Sequence, residues 1–236
     1  KFALKCTDTV FFQNPDDERL FRQLGLIAPN SHSCIVNGSG VCTAEYPVSK
    51  LTEAPNFLLI ARLIGDKGIR EYVAASKLVK QVYPNAKFSL AGWIDSNPDA
   101  IKKKELDQWI ADDSVNFLGK LSDVRQSISE SNIYVLPSYR EGMPRTVLEA
   151  MAIGRPILTT DVPGCRDTVI DHENGLLVAA KDSDALRGAM MWFIEHSAVW
   201  HDMASASRNL ACQKFDANKV NQHIADIIQA PIAITS

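Results

Sequence analysis

The chain has 236 residues, 46% of them hydrophobic, and a formal net charge of -3. That length and apolar content supply a substantial core and exclude a disordered chain. The slightly acidic balance leaves no broad basic field for nucleic acid or an anionic membrane surface, so any anion site has to be local.

In chain order, the opening at Lys1 has no initiator Met, no signal-peptide layout and no transit character, which reads as a fragment of a longer polypeptide. "FFQNPDDERLFRQLGL" (11–26) reads as a loop leading into a short helix. "SCIVNGSGVCTAEYPVSK" (33–50) reads as a short strand, a glycine-rich turn and an extended connector. Pro47 and Pro55 flank that connector and put a domain boundary near residues 45–55. From residue 56 the pattern changes: "NFLLIAR" (56–62), "KFSLAGW" (87–93), "VNFLG" (115–119), "NIYVLPS" (132–138), "PILTTD" (156–161) and "GLLVAA" (175–180) are strand-length apolar runs. Such runs suit strands covered on both faces. Between the first two, Ile69, Val73, Ser76, Val79 and Tyr83 recur at helical spacing over 68–83, and Leu106, Trp109 and Ile110 mark a second helix. "SDVRQSISES" (122–131) starts on Ser122 as an N-cap candidate.

The repeat predicts an α/β fold, a doubly wound parallel sheet flanked by helices. After residue 181 the strands stop and a helical tail follows, with Ser183 and Asp216 as N-cap candidates. No apolar run reaches the ~18 residues of a membrane span. Cys6, Cys34, Cys42, Cys165 and Cys212 are scattered, odd in number and without C-x-x-C spacing, so neither a disulfide framework nor a zinc site is expected, and a reducing, cytoplasmic compartment fits.

"EGMPRTVLEAMAIGRPI" (141–157) carries the chemistry. It follows a strand end, where parallel α/β sheets bind ligands. Pro144 suits the first helical position, Gly154 the C′ position, and Pro156 the stop. Glu141 then lies in the loop above the sheet edge and Glu149 about one and a half turns into the helix. Gly142 admits backbone close to a ligand, and free N–H groups near Thr146 and Val147 face the same mouth as an anion site. Two carboxylates flanking a phosphate cradle suit the hydroxyl groups of a nucleoside diphosphate-sugar. The positive charge is expected from Arg62 and Lys67 in "ARLIGDKGI" at the end of the first strand of the repeat. Arg145 is left open between a donor phosphate and a cap, and Arg140 reads as solvated.

Together, "NFLLIARLIGDKGI", "FSLAG", "VNFLGKLSDV", "SNIYVLPSYREGMPRTVLEAMAIGRPILTTDVPGCRDTV" and "ENGLLV" resemble the C-terminal, donor-binding domain of family 4 retaining glycosyltransferases of the GT-B fold, in the glycosyl transferases group 1. The likeness spans about residues 35–215. It implies that Arg62 and Lys67 bind the diphosphate and stabilise the departing nucleoside diphosphate. It implies that Glu141 holds donor-sugar hydroxyls and takes part in catalysis. Glu149 holds the ribose diol, the backbone N–H groups of Gly142, Met143 and Thr146 complete the phosphate cradle, and Pro144, Arg145 and Val147 join them as donor-binding residues. Leu118, Gly119 and Lys120 would lie near the base.

The donor is expected to be a UDP-sugar, with no metal and no cofactor, and the reaction front-face and retaining. Residues 1–45 resemble the end of an acceptor domain and hinge, with Cys42 where that hinge usually carries Asp; 46–215 would be the donor domain and 216–236 a C-terminal helix. The acceptor, a glycan or lipid-linked sugar of bacterial polysaccharide synthesis, would be held by a missing N-terminal half, so the fragment is expected to bind donor and transfer nothing. The full enzyme would be cytoplasmic and peripheral on the inner face of the membrane.

Rival readings fit less of the sequence. No G-x-G-x-x-G follows the first strand of the repeat and no P-loop occurs, which disfavours a dinucleotide oxidoreductase or a P-loop NTPase. A glycosidase would use the two glutamates as acid and nucleophile, but Arg62 and Lys67 suit phosphate better. A nucleotide-sugar epimerase and a non-catalytic nucleotide-binding module stay as alternatives. His32, His172, His196, His201 and His223 have no metal-ligand spacing, and Cys165, Met190, Trp192 and Phe193 read as packing.

Overall fold

In the N-terminal part, β1 (Thr9–Phe12) pairs in parallel with β2 (His32–Ile35), with α1 (Pro15–Gln23) between them, in the computed structural model. The structure describes residues 4, 7, 9–28 and 30–229; Cys6 and residues 230–236 of the expected tail lie outside them. Residues 11 and 12, expected in a loop, belong to β1, because Phe12 packs edge-on against Phe21 of α1 in a small cluster with Val10 and Ile27. Helix α1 starts where Asn14 accepts a hydrogen bond from the Asp17 amide at 2.8 Å, and Pro15 follows with no amide to satisfy.

The six apolar runs all form strands: β3 (Asn56–Ile60), β4 (Lys87–Ala91), β5 (Asn116–Gly119), β6 (Ile133–Leu136), β7 (Ile157–Thr160) and β8 (Gly175–Val178). They make one parallel sheet in the order β5-β4-β3-β6-β7-β8. Alternation explains why these strands are apolar throughout. Phe57 and Leu59 of β3 face a core built with α2 (Ile69–Val82), α3 (Lys103–Ala111) and α6 (Ser183–Glu195). Leu58 and Ile60 face the opposite core, built with α4 (Arg125–Ser129), α5 (Arg145–Ile153) and α7 (Trp200–Lys214). Each fully buried Leu, Ile or Phe contributes ~1.5–3 kcal/mol.

Three helix starts differ from expectation. Helix α4 begins at Arg125 after Val124, not at Ser122, because Asp123 accepts from the Arg125 amide and tightens the turn there. Helix α6 is capped by Asp182, whose carboxylate accepts from the Ala185 amide at 2.8 Å, which moves Ser183 to the first helical position. Pro144 is the residue before α5 with extended backbone, so Arg145 opens that helix. Gly154 ends it in the left-handed conformation, as expected. Asp216 accepts from the Asn218 amide at 3.0 Å at the start of α8 (Ala217–Gln229). No helix among the described residues is long and apolar enough to cross a membrane.

Candidate functional site

The strand order reverses between β3 and β6: β3 hands on to β4 on one side, and β6 to β7 on the other. The loops leaving the two strands therefore diverge and open a crevice at the C-terminal edge of the sheet. Two glycines set its shape. Gly68, at φ 67° between a 3-10 turn (Gly65–Lys67) and α2, lies so close to the Pro137 carbonyl after β6 that a Cβ would collide with it. Gly164, at φ 79° after β7, sits equally close to the Glu141 and Gly142 carbonyls. The Glu141 loop is thus clamped from both sides. The Glu141 amide donates to the Pro163 carbonyl at 3.1 Å, and the Tyr139 amide to the Asp66 carbonyl at 2.8 Å.

This clamp brings Lys67 and Glu141 together. Lys67 Nζ and Ser138 Oγ both donate to Glu141 Oε1, the latter at 2.7 Å, while Oε2 makes no hydrogen bond among the described residues. Arg62, just beyond β3, is exposed and pairs with Asp95 at 3.2 Å. Both expected phosphate-binding cations thus meet a carboxylate of the same rim, and a pyrophosphate would have to exchange with it. The acid partner Asp95 was not singled out from the sequence; its position in the loop after β4, next to β3, is the signal that could have found it.

The start of α5 supplies amide donors. The N–H groups of Gly142, Met143, Arg145 and Thr146 have no acceptor among the described residues. Val147 corrects the expectation: its amide donates to the Pro144 carbonyl at 3.0 Å and its side chain is buried, so the free donor beside Thr146 is Arg145. Pro144 is buried and offers no donor, and Met143 packs against Gly38 and the second core. The Gly142 carbonyl accepts from Asn14 Nδ2 at 3.0 Å, which ties the N-terminal part of the chain to the cradle. Arg140 is exposed, as expected, and pairs with Asp17 of α1.

Glu149 lies one helical turn beyond Arg145 and is only 6% exposed. Its Oε1 accepts from Arg145 Nε at 3.0 Å and from Tyr46 Oη at 2.9 Å. These residues line a cleft of about 360 Å³ with Glu45, Ser122, Asp123 and Arg125. Burial and the bond to Glu149 push the Tyr46 phenol up to about 12. Arg145, open between two roles in the sequence, holds this carboxylate. Leu118 packs on the core and Lys120 lies over the Trp93 ring, 4.9 Å from its centroid, at the end of edge strand β5 together with Gly119. The residues lining the Glu149 cleft are the ones just after them, 122–125. Cys165 is fully buried, and burial raises its thiol to about 11, in keeping with packing. No group of three His, Cys, Asp or Glu among the described residues is placed to hold a metal.

Residues 46–210 match the family model described as "Glycosyl transferases group 1". Among curated relatives, the Campylobacter jejuni N,N'-diacetylbacillosaminyl-diphospho-undecaprenol alpha-1,3-N-acetylgalactosaminyltransferase is 27% identical over 94% of this chain and 60% of its own length. The putative glycosyltransferase EpsD of Bacillus subtilis is 27% identical over 98% of this chain and 62% of its own. The chain therefore spans less than two thirds of these relatives. Among solved structures, Anabaena Alr3699/HepE in complex with UDP superposes with a TM-score of 0.84 at 23% identity, covering 96% of this chain and 65% of that one. Sucrose-phosphate synthase of Thermosynechococcus elongatus gives 0.83 at 23% identity, over 97% and 59%. The chain belongs to the glycosyl transferases group 1 family.

Proposed function

We propose that this member of the glycosyl transferases group 1 is the donor-binding part of a retaining glycosyltransferase that moves a sugar from a UDP-sugar to a glycan or lipid-linked acceptor of bacterial polysaccharide synthesis. The observation that carries the proposal is the meeting of Lys67 and Glu141 at the point where the strand order reverses, beside four amides with no acceptor among the described residues. A cation and amide dipoles stabilise a pyrophosphate. A carboxylate beside them suits sugar hydroxyls.

In this reading the pyrophosphate lies over the start of α5 and draws Lys67 and Arg62 from Glu141 and Asp95. Glu141 then holds the sugar, and Glu149 takes the ribose diol in the cleft with Tyr46. Charge that develops on the departing diphosphate is met by Lys67, Arg62 and the amides, and the acceptor hydroxyl gives its proton to the leaving phosphate on the same face. The reading uses neither a metal nor a cofactor. Residues 1–45 serve as the end of an acceptor domain and hinge, 46–215 as the donor domain, and the tail from 216 as a C-terminal helix. The transfer itself belongs to a longer polypeptide acting in the cytoplasm at the inner face of the membrane. The names of the C. jejuni relative, with its undecaprenol-linked acceptor, and of the UDP-bound Anabaena protein support these choices.

Isothermal titration with UDP and a UDP-sugar tests the reading. Glu149→Ala should weaken UDP by ~1.5–3 kcal/mol, the cost of a lost hydrogen bond to a charged group. Glu141→Ala should weaken the UDP-sugar more than UDP. Unchanged UDP affinity in the first variant, or the opposite order in the second, overturns the assignment.

A further inference from the structure

The donor site as described ends at residue 149 in one direction and at residue 62 in the other, yet the carboxylate at its far end is held from outside that span. Tyr46 comes from the connector between β2 and β3, 103 residues from Glu149 in sequence. Resting on the nucleotide-sugar reading, we propose that Tyr46 is a positioning residue that fixes the Glu149 carboxylate and thereby sets a preference for ribonucleoside over deoxyribonucleoside diphosphates.

The two holders of Glu149 differ in their freedom to move. Arg145 lies with 68% of its side chain exposed; its ion pair is with Glu149, and it also interacts with the Tyr46 hydroxyl. A pyrophosphate at the start of α5 competes for that guanidinium directly. Tyr46 has no such freedom. Its ring packs against the core that contains Val147 and Met151, and its carbonyl accepts from Arg208 Nη1 of α7 at 2.9 Å. The same Arg208 nitrogen also bonds the carbonyls of Thr43 and Ala152, so connector, α5 and α7 are pinned at one point.

When Arg145 turns to phosphate, the phenol hydroxyl is left as the donor on Oε1. It holds the plane of the carboxylate, so that Oε2, with no partner among the described residues, faces two vicinal hydroxyls in a fixed direction. A deoxyribose offers one hydroxyl fewer and gains less from that alignment. The high pKa of the phenol keeps it a donor at any assay pH near neutrality.

The test is a titration of UDP and 2′-deoxy-UDP into the whole chain and into Tyr46→Phe, Glu149→Ala and the double variant, with folding followed by circular dichroism. The wild-type chain should prefer UDP by about tenfold, the scale of one hydrogen bond to a charged group. Glu149→Ala should reduce that preference to near one. Tyr46→Phe, which keeps the ring, should lower it to about two- to threefold, and the double variant should behave like Glu149→Ala alone. A Tyr46→Phe chain with the full preference overturns the role of Tyr46 while leaving the reading of Glu149 intact. A wild-type chain with no preference, or a Glu149→Ala chain that keeps it, overturns both.

Discussion

The two ends of the candidate site solve the same problem in different ways. At each end a glutamate is gripped through Oε1 by one cation and one neutral hydroxyl, Lys67 with Ser138 on Glu141, and Arg145 with Tyr46 on Glu149. At the Glu141 end Lys67 closes a 3-10 turn, Ser138 and Glu141 sit in a loop, and precision comes from backbone packing at Gly68 and Gly164. At the Glu149 end the carboxylate is on a buried helix, and precision comes from a tyrosine delivered by a distant connector. The loop end should therefore fail when backbone is displaced, the helix end when a single hydroxyl is lost.

The largest expected effect breaks the loop end. Gly164→Ala forces a Cβ into the Glu141 and Gly142 carbonyls at a left-handed φ, costing more than ~1 kcal/mol of stability and moving the loop. UDP-sugar affinity should fall at least tenfold, while the ratio of UDP to 2′-deoxy-UDP affinity, a property of the helix end, stays as in the wild type. A shifted ratio would mean that the ends are not separable.

Next comes the cation pair. Lys67 and Glu141 are mostly shielded, with side-chain exposures of 18% and 14%, whereas Arg62 is 47% exposed. Removing Lys67 leaves Glu141 Oε1 with Ser138 as its one donor among the described residues, about 1–3 kcal/mol, against at most ~1 kcal/mol in stability for breaking the exposed Arg62–Asp95 pair. Chemical denaturation of Lys67→Ala and Arg62→Ala should show this order.

A smaller effect reports on the helix end through pH. The Tyr46 phenol titrates higher in the folded chain, at about 12, than a free phenol at ~10. Its contribution is therefore complete below pH ~10 and is lost as pH rises toward about 12. The stability difference between wild type and Tyr46→Phe should be constant from pH 7 to 9.5 and shrink above it in urea titrations.

The smallest effect is chemical. Cys165, buried beside the Glu141 loop with its thiol raised to about 11, should resist alkylation at pH 8 until the chain is unfolded, which mass spectrometry detects.

Much of the fold was written in local pattern. The strands β3 to β8 show as apolar runs because each is covered on both faces, and α2 shows as a three- and four-residue spacing. The mouth was legible too, since a strand end followed by Gly142, Pro144 and a helix fixes where Glu141 must lie. Strand β1 was not legible: four residues paired only with β2 carry little periodicity. The fate of the Val147 amide depended on whether the first turn of α5 closes on Pro144, which a one-residue shift of the helix start decides. Tyr46 and Asp95 escaped for another reason. Their partners are 103 and 33 residues away, and nothing in the composition around a connector tyrosine tells which carboxylate it will meet.

Where the connector leaves the two-stranded unit, the Val41 amide donates to the Phe215 carbonyl and the Ala217 amide donates back to the Val41 carbonyl, at 2.8 and 3.0 Å. Two lengths of chain run side by side there, one entering the large sheet and one leaving α7. A joint made of a single thread can swivel in any direction; a doubled one favours bending across its own line. This doubled joint adds to the Asn14–Gly142 and Arg140–Asp17 contacts that hold the two-stranded unit, and a cut between α7 and α8 would loosen it although the break lies far along the sequence.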